Sequence, residues 1–198
     1  MVTEIELKAH VQNSEALKLL LQKNAIFLFF FEKNDNYWIQ TTPYVTKNPP
    51  LAPFSSGLRI RRERRTLPDG TIESLSLATY KIKEVRDGVE INEEREFAVD
   101  PASGFEEFLI HMGFVSGISK QKRGCAFSRE GISAELLEVK GLGWFLELEI
   151  IIEDIKAGNK REEAAAQAKK RLLAFLDSLG IEREAIESRF YSEMLGKS

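Results

Sequence analysis

The stretch Glu4-Ile5-Glu6-Leu7-Lys8 alternates charged and apolar residues without a break. Alternation at period 2 marks a β-strand, so Glu4, Glu6 and Lys8 share one face while Ile5 and Leu7 share the other. An apolar core would not accept two carboxylates and an ammonium, because stripping water from unpaired charge is prohibitively costly. Facing bulk water, the same residues would be unremarkable. A third solution is a closed barrel whose interior is filled with ions, and later segments repeat the pattern such a barrel needs.

Leu67-Pro68-Asp69-Gly70 and Val85-Arg86-Asp87-Gly88 are turn signals between alternating segments, which defines three antiparallel strands. The first puts Arg59 and Arg61 on one face, the second Thr79, Lys81 and Lys83, and the third, Val89 to Val99, Asn92, Glu94 and Glu96. A second meander begins near Phe114, with Lys120, Lys122 and Arg123 before a turn at Arg129-Glu130-Gly131. After Gly141-Leu142-Gly143, a strand from Trp144 to Ile152 sets Phe145, Glu147 and Glu149 opposite Trp144, Leu146, Leu148 and Ile150.

The remaining segments read as helices, one aromatic strand and a loop. Asn13 or Ser14 can cap a helix to about Lys23, with Leu17, Leu20 and Leu21 as its apolar stripe. Ile26 opens an aromatic strand, followed by a second extended piece at Asp35 to Ile39. Residues 43–57 hold four of the six prolines and read as a long loop. Asp100 can cap a helix that has Pro101 at its first position and ends near Met112 at Gly113. Two further helices, Arg161 to Leu179 before Gly180 and about Glu182 to Leu195, complete the chain. The expected fold is α+β: a closed antiparallel barrel, or tunnel, of about eight strands with flanking helices, in a single domain over 1–198 with C-terminal helices from about 160.

Composition narrows the function. The chain has 198 residues, is 43% hydrophobic and carries a formal charge of −3 from 28 basic and 31 acidic side chains. No global field therefore recruits nucleic acid or an acidic membrane, and an anion must be bound by local arrangement. The run Ile26 to Phe31 falls far short of the ~20 residues that span a bilayer. A single cysteine, Cys125, and an N-terminus without a signal-peptide pattern make the cytoplasm the expected compartment. A barrel of this size could form a homodimer, but no isolated apolar stripe demands it.

If the charged faces converge, Glu4, Glu6, Glu94, Glu96, Glu147 and Glu149 meet Lys8, Arg59, Arg61, Lys81, Lys83 and Lys120 or Lys122. Neither set can stay unpaired in a low-dielectric space, so they neutralise one another or bind a ligand of both signs. A metal-bound polyphosphate is such a ligand. Arg and Lys take phosphate oxygens directly, and carboxylates help through Mg²⁺ or Mn²⁺. The bland reading of each cluster is a solvated strand or cross-strand pairs worth under ~1 kcal/mol apiece. Other chemistry has little support: His10 and His111 lack neighbours at metal-ligand spacing, His10 fits a hydrogen-bonded structural role, Cys125 fits a small buried side chain, and no nucleotide-loop or nucleophile-elbow motif occurs.

The order of motifs resembles the CYTH superfamily, the triphosphate tunnel metalloenzymes, which includes class IV adenylate cyclases, thiamine triphosphatases and inorganic tripolyphosphatases. The matching residues are Glu4-x-Glu6-x-Lys8, Asp35-Asn36-Tyr37-Trp38, Leu58-Arg59-Ile60-Arg61, Thr79-Tyr80-Lys81, Glu94-Arg95-Glu96, Gly113-Phe114, Gly141 through Glu149, and Tyr191-Ser192-Glu193-Met194-Leu195. The resemblance implies metal ligation by Glu4, Glu6, Glu147 and Glu149, assisted by Glu94 and Glu96. It implies phosphate binding by Lys8, Arg59, Arg61, Lys81, Lys83, Lys120, Lys122 and Arg123, with Glu4, Glu6, Lys8 and Lys81 as the catalytic set. The implied activity is metal-dependent hydrolysis of tripolyphosphate, thiamine triphosphate or a nucleoside triphosphate such as ATP. One alternative is cyclisation of ATP to cyclic AMP and pyrophosphate; another is a non-catalytic module that binds polyphosphate or nucleotide. The chain departs from the family at Asn92, where relatives often have arginine, and at Leu137, where they often have aspartate and where Glu135 and Glu138 stand nearby. The Lys120, Lys122 and Arg123 group also blurs the family's Lys-x-Arg pair by one position.

Overall fold

A computed structural model describes residues 2–40, 56–86, 89–153 and 159–196. Eight strands, β1 (Val2–His10), β2 (Ile26–Gln40), β3 (Ser56–Thr66), β4 (Ile72–Arg86), β5 (Val89–Ala98), β6 (Phe114–Arg129), β7 (Ile132–Val139) and β8 (Gly143–Glu153), are joined with four α-helices. The helices are α1 (Ser14–Asn24), α2 (Ala102–His111), α3 (Asn159–Ser178) and α4 (Tyr191–Leu195). The strands close into an antiparallel barrel in the order β1-β5-β4-β3-β2-β6-β7-β8, the last pairing back to β1. Closure removes the sheet edges except along β1 beyond Glu6, and divides every strand into an inward and an outward face. The expected α+β barrel of about eight strands with flanking helices is therefore the observed fold.

Most of the apolar core lies outside the barrel wall. Ile5, Leu7, Leu146 and Leu148 on the outer face meet Leu17 and Leu21 of α1 and Leu172, Phe175 and Leu176 of α3. The 3- and 4-residue spacings in α3 make one stripe, and each buried leucine contributes roughly 1.5–3 kcal/mol. Across the barrel, Trp38, Ile60 and Ala78 pack under Ala102 and Leu109 of α2. A third cluster, Phe31, Ala126, Leu137, Val139 and Phe145 with Tyr191 of α4, sits on inward-facing positions and fills one end of the lumen.

Several local expectations need correction. The aromatic segment and the Asp35 piece form one continuous strand, because β2 is held along its length by β3 on one side and β6 on the other. Leu20 is 39% exposed, so the α1 stripe is Leu17 and Leu21. Helix α2 starts at Ala102 with Pro101, not Asp100, at its cap position. The expected helix over 182–195 is broken into a 3₁₀ turn at Arg183–Ala185 and the short α4. Its middle is pulled straight by β1: strand β5 covers β1 only as far as Glu6, and beyond it Ile186 bridges Ala9 while the Glu187 N–H donates to the Lys8 carbonyl at 2.9 Å. Backbone bonding to that open edge outweighs helix propensity. The proline-rich segment lies largely outside the described residues, as do the last two residues of the Val85 to Gly88 turn. No helix among the described residues is long and apolar enough to cross a membrane.

Gly124 is fixed by packing between β6 and β7: a Cβ there would stand 2.2 Å from the Leu136 carbonyl oxygen and 2.8 Å from the Leu137 Cα. Backbone atoms cannot swing aside. Gly124→Ala is expected to destabilise the fold by about 1–3 kcal/mol, read as a lowered urea midpoint at unchanged slope.

Candidate functional site

The inward positions of the strands hold a densely charged lumen. Lys33 and Asp35 on β2, Glu63 on β3, Thr79 on β4, Glu90 and Asn92 on β5, and Lys120 and Lys122 on β6 are all buried, with Lys8 of β1 only 2% exposed. Register pairs these residues across strands: Asp35 stands opposite Arg61 and Lys120, Glu6 opposite Glu149 and Glu90, Lys8 opposite Glu147, and Lys81 opposite Glu94. The side chains of Lys81 and Lys83 lie outside the described residues, although β4 carries both at the alternation shared with Thr79.

One buried carboxylate organises most of the cations. Asp35 accepts from Arg61 Nε at 2.7 Å and Arg61 Nη2 at 2.9 Å, with Lys120 Nζ at 3.5 Å and Arg59 Nη1 at 4.0 Å. Burial pushes its carboxyl up, but the Arg61 and Arg59 charges overcome this and hold it well below the usual range. Lys122 donates to both oxygens of Glu147 at 2.7 and 2.9 Å, and Lys33 to both oxygens of Glu135 at 2.6 and 2.7 Å. Burial, only partly offset by Glu135, lowers the Lys33 ammonium, whereas beside Glu147 the Lys122 ammonium is raised despite burial. Lys8 pairs with Glu90. Arg59 reaches Glu94 and Glu96 only at 3.5 Å each, and its buried Nε has no hydrogen-bond partner among the described residues.

The six carboxylates expected at a metal separate into groups. Glu4, Glu6 and Glu149 bring one oxygen each to within 4.8 Å of one another, the only such potential ligand group among the described residues. Glu147 is engaged by Lys122, while Glu94 and Glu96 face Arg59 on the far side of Thr79. Three oxygens at that separation suit a hard divalent cation, whose opposite ligands lie ~4 Å apart at Mg²⁺ bond lengths.

Arg123 does not join the inward-facing cations. Strand alternation sets it on the outer wall, where its side chain is 73% exposed and pairs with Glu138 at 2.6 Å, so Lys120 and Lys122 are the inward pair. Arg62 is likewise outside, held by Glu106 at 2.5 and 2.9 Å. Leu137 belongs to the apolar plug, and of its two acidic neighbours Glu135 points inward to Lys33. His10 packs on Phe145 at 4.6 Å and contacts Glu187 at 3.1 Å, a structural role at the lumen rim. Cys125 is buried, and burial pushes its thiol up to about 11, which leaves it inert.

Sequence reading passed over Lys33, Glu63 and Glu90, and named Glu135 only as an acidic neighbour of Leu137. Extending the alternation back from Asn92 gives Glu90, and extending it forward from Phe31 gives Lys33 and then Asp35; the signal was present but lay beside an aromatic run or a turn. Tyr191 is also more than a closing motif. Its ring centroid lies 4.7 Å from Lys122 Nζ, 5.1 Å from Lys120 Nζ and 5.5 Å from Lys8 Nζ, so three ammonium groups surround one aromatic ring at the boundary between plug and charged lumen. Burial, then the Glu147 charge, pushes its phenol well above the usual value, keeping it neutral.

No family model matches the chain. It is 29% identical over 139 residues, 70% of each protein, to "Putative adenylate cyclase MJ0240" of Methanocaldococcus jannaschii. PH1819 protein from Pyrococcus horikoshii OT3 matches with a TM-score of 0.74 and 25% identity, covering 98% of both chains. HpAC1 from Hippeastrum, whose structure is described as revealing a dominant triphosphatase activity, matches with a TM-score of 0.61 and 20% identity over 98% of this chain and 94% of its own. The chain has the CYTH-like triphosphate-tunnel fold.

At the rim, hydrogen bonds from Arg189, then the contact with His10, bring Glu187 down to about 2 from an ordinary 4.5. A folded value below the unfolded one stabilises the protein above the unfolded pKa, and that contribution is lost as pH falls through the folded value. The melting-temperature gap between wild type and Glu187→Gln is therefore expected at pH 7 and should close between pH 4.5 and 2.

Proposed function

We propose that the protein is a divalent-metal-dependent enzyme, a single cytoplasmic domain, that cleaves a triphosphate inside the barrel and releases phosphate or pyrophosphate. The observation that carries this reading is the meeting of two chemistries in one lumen: a carboxylate triplet suited to Mg²⁺ or Mn²⁺, and cations gathered around Asp35. Glu4, Glu6 and Glu149 would hold the ion, which when bound would offset phosphate charge and orient the attacking oxygen.

The chain's own residues supply the rest. Lys8, Arg59, Arg61, Lys120 and Lys122, with Lys81 and Lys83 by strand position, bind phosphate oxygens. Asp35 pre-orients three of these cations, so little side-chain entropy is lost when a polyanion arrives. Arg59 has a buried donor to spare and only long contacts to its carboxylates, which makes it the cation best placed to exchange partners for phosphate. The closed wall excludes bulk water and strengthens each charge contact.

The dominant triphosphatase activity described for HpAC1 supports hydrolysis. The printed name of the Methanocaldococcus relative favours a second reading, cyclisation of ATP to cyclic AMP, in which the ribose 3′-hydroxyl replaces water. Offering ATP, tripolyphosphate and thiamine triphosphate in turn, with Mg²⁺ or Mn²⁺, separates the readings: orthophosphate marks the hydrolase, cyclic AMP the cyclase, and binding without turnover a non-catalytic module.

Glu4→Gln is expected to lower metal-dependent turnover by about 100-fold or more with an intact fold by circular dichroism. Arg59→Ala should raise KM or lower kcat far more than Arg62→Ala, since Arg62 is occupied by Glu106 outside the wall. Equal effects of the two arginine substitutions would remove Arg59 from the phosphate site.

A further inference from the structure

We infer that Asn92 supplies a fourth, electrically neutral oxygen ligand to a divalent ion held by Glu4, Glu6 and Glu149, an inference that rests on the metal-dependent reading above. Asn92 lies on β5 directly opposite Glu4 of β1, on the inward face, and is fully buried. Its Nδ2 donates to Glu6 Oε2 at 3.4 Å, which ties the amide to the carboxylate group. A carboxylate only accepts, so the nitrogen is the atom engaged with Glu6 Oε2, and the carbonyl oxygen of the same amide is left out of that contact. That oxygen, Oδ1, is buried and has no hydrogen-bond partner among the described residues.

An amide oxygen left without a donor in a closed lumen is costly and unusual in a native fold. A cation at the triplet removes the cost. All four donors would then be hard oxygens of the kind that Mg²⁺ and Mn²⁺ prefer. Three carboxylates already exceed the charge of a divalent ion, and a fourth would leave more negative charge facing an incoming polyphosphate. An amide raises the coordination number without that repulsion. The position thus gains a role opposite to the lost phosphate contact that the family comparison suggests for it.

Lys83 stands opposite Asn92 on β4, with its side chain outside the described residues. A lysine partner for Oδ1 would not make cation affinity depend on the oxygen at position 92, so metal titration separates the two roles. The test uses the full chain without substrate: calorimetric titration with Mn²⁺, and melting temperature with and without Mn²⁺, for wild type, Asn92→Ala, Asn92→Asp and Glu6→Gln. Asn92→Ala is expected to bind Mn²⁺ at least about tenfold more weakly. Asn92→Asp restores the oxygen while losing the amide donor, so it should match or exceed wild-type affinity and show a larger Mn²⁺-induced rise in melting temperature. That second comparison decides the matter even if Asn92→Ala fails to fold.

Wild-type affinity in Asn92→Ala, with Mn²⁺ binding lost in Glu6→Gln, would overturn the role of Asn92 and leave the carboxylate site standing. Binding in Asn92→Asp weaker than wild type would place the effect in the bond to Glu6 and also overturn it. A wild-type chain that takes up no Mn²⁺ would overturn both this inference and the metal-dependent reading beneath it.

Discussion

Charges on the inner wall of a closed sheet must find their counter-ions inside the same wall. Closure leaves most of the inner wall without an edge through which a side chain can reach solvent, and an isolated ion in that space would be too costly to keep. The protein meets the constraint with pairs drawn from distant parts of the chain: Lys8 with Glu90, Lys33 with Glu135, Arg61 with Asp35 and Lys122 with Glu147. Each pair joins two strands, so the electrostatic solution and the barrel topology specify one another.

The helices follow from the same constraint. With the interior given over to ions, the apolar half of each strand alternation has to be covered from outside, and α1, α2 and α3 do this against two patches of the wall. At one end apolar residues cluster inward, where Phe31, Leu137 and Phe145 meet Tyr191. Tyr191 belongs to both regions: its ring packs edge-on against Phe145 and lies within reach of three lysine ammonium groups.

Much of this was legible because a wall with ions inside and helices outside imposes strict period-2 alternation, as in Glu4 to Lys8 and Trp144 to Ile150. Parity alone places Arg59 inside and Arg62 outside, and it places Arg123 outside once the register of β6 is known. What parity cannot supply is which charges meet. The central position of Asp35 depends on β2 lying between β3 and β6, a neighbourhood set by closure and invisible along the chain. The C-terminal segment misled for a similar reason: residues 186–190 have helical neighbours in sequence but sit beside an uncovered stretch of β1. Asn92 read as a deficit by family pattern because its orphan oxygen and its bond to Glu6 exist only in three dimensions.

The apolar stopper around Tyr191 gives the cavity a direction. With that end plugged, a ligand of the proposed kind would leave by the route through which it came. Under the proposed function occupancy would be exclusive: a spent anion still lodged among the lysines would bar the next arrival, and its clearance would set an upper limit on how often the lumen is refilled.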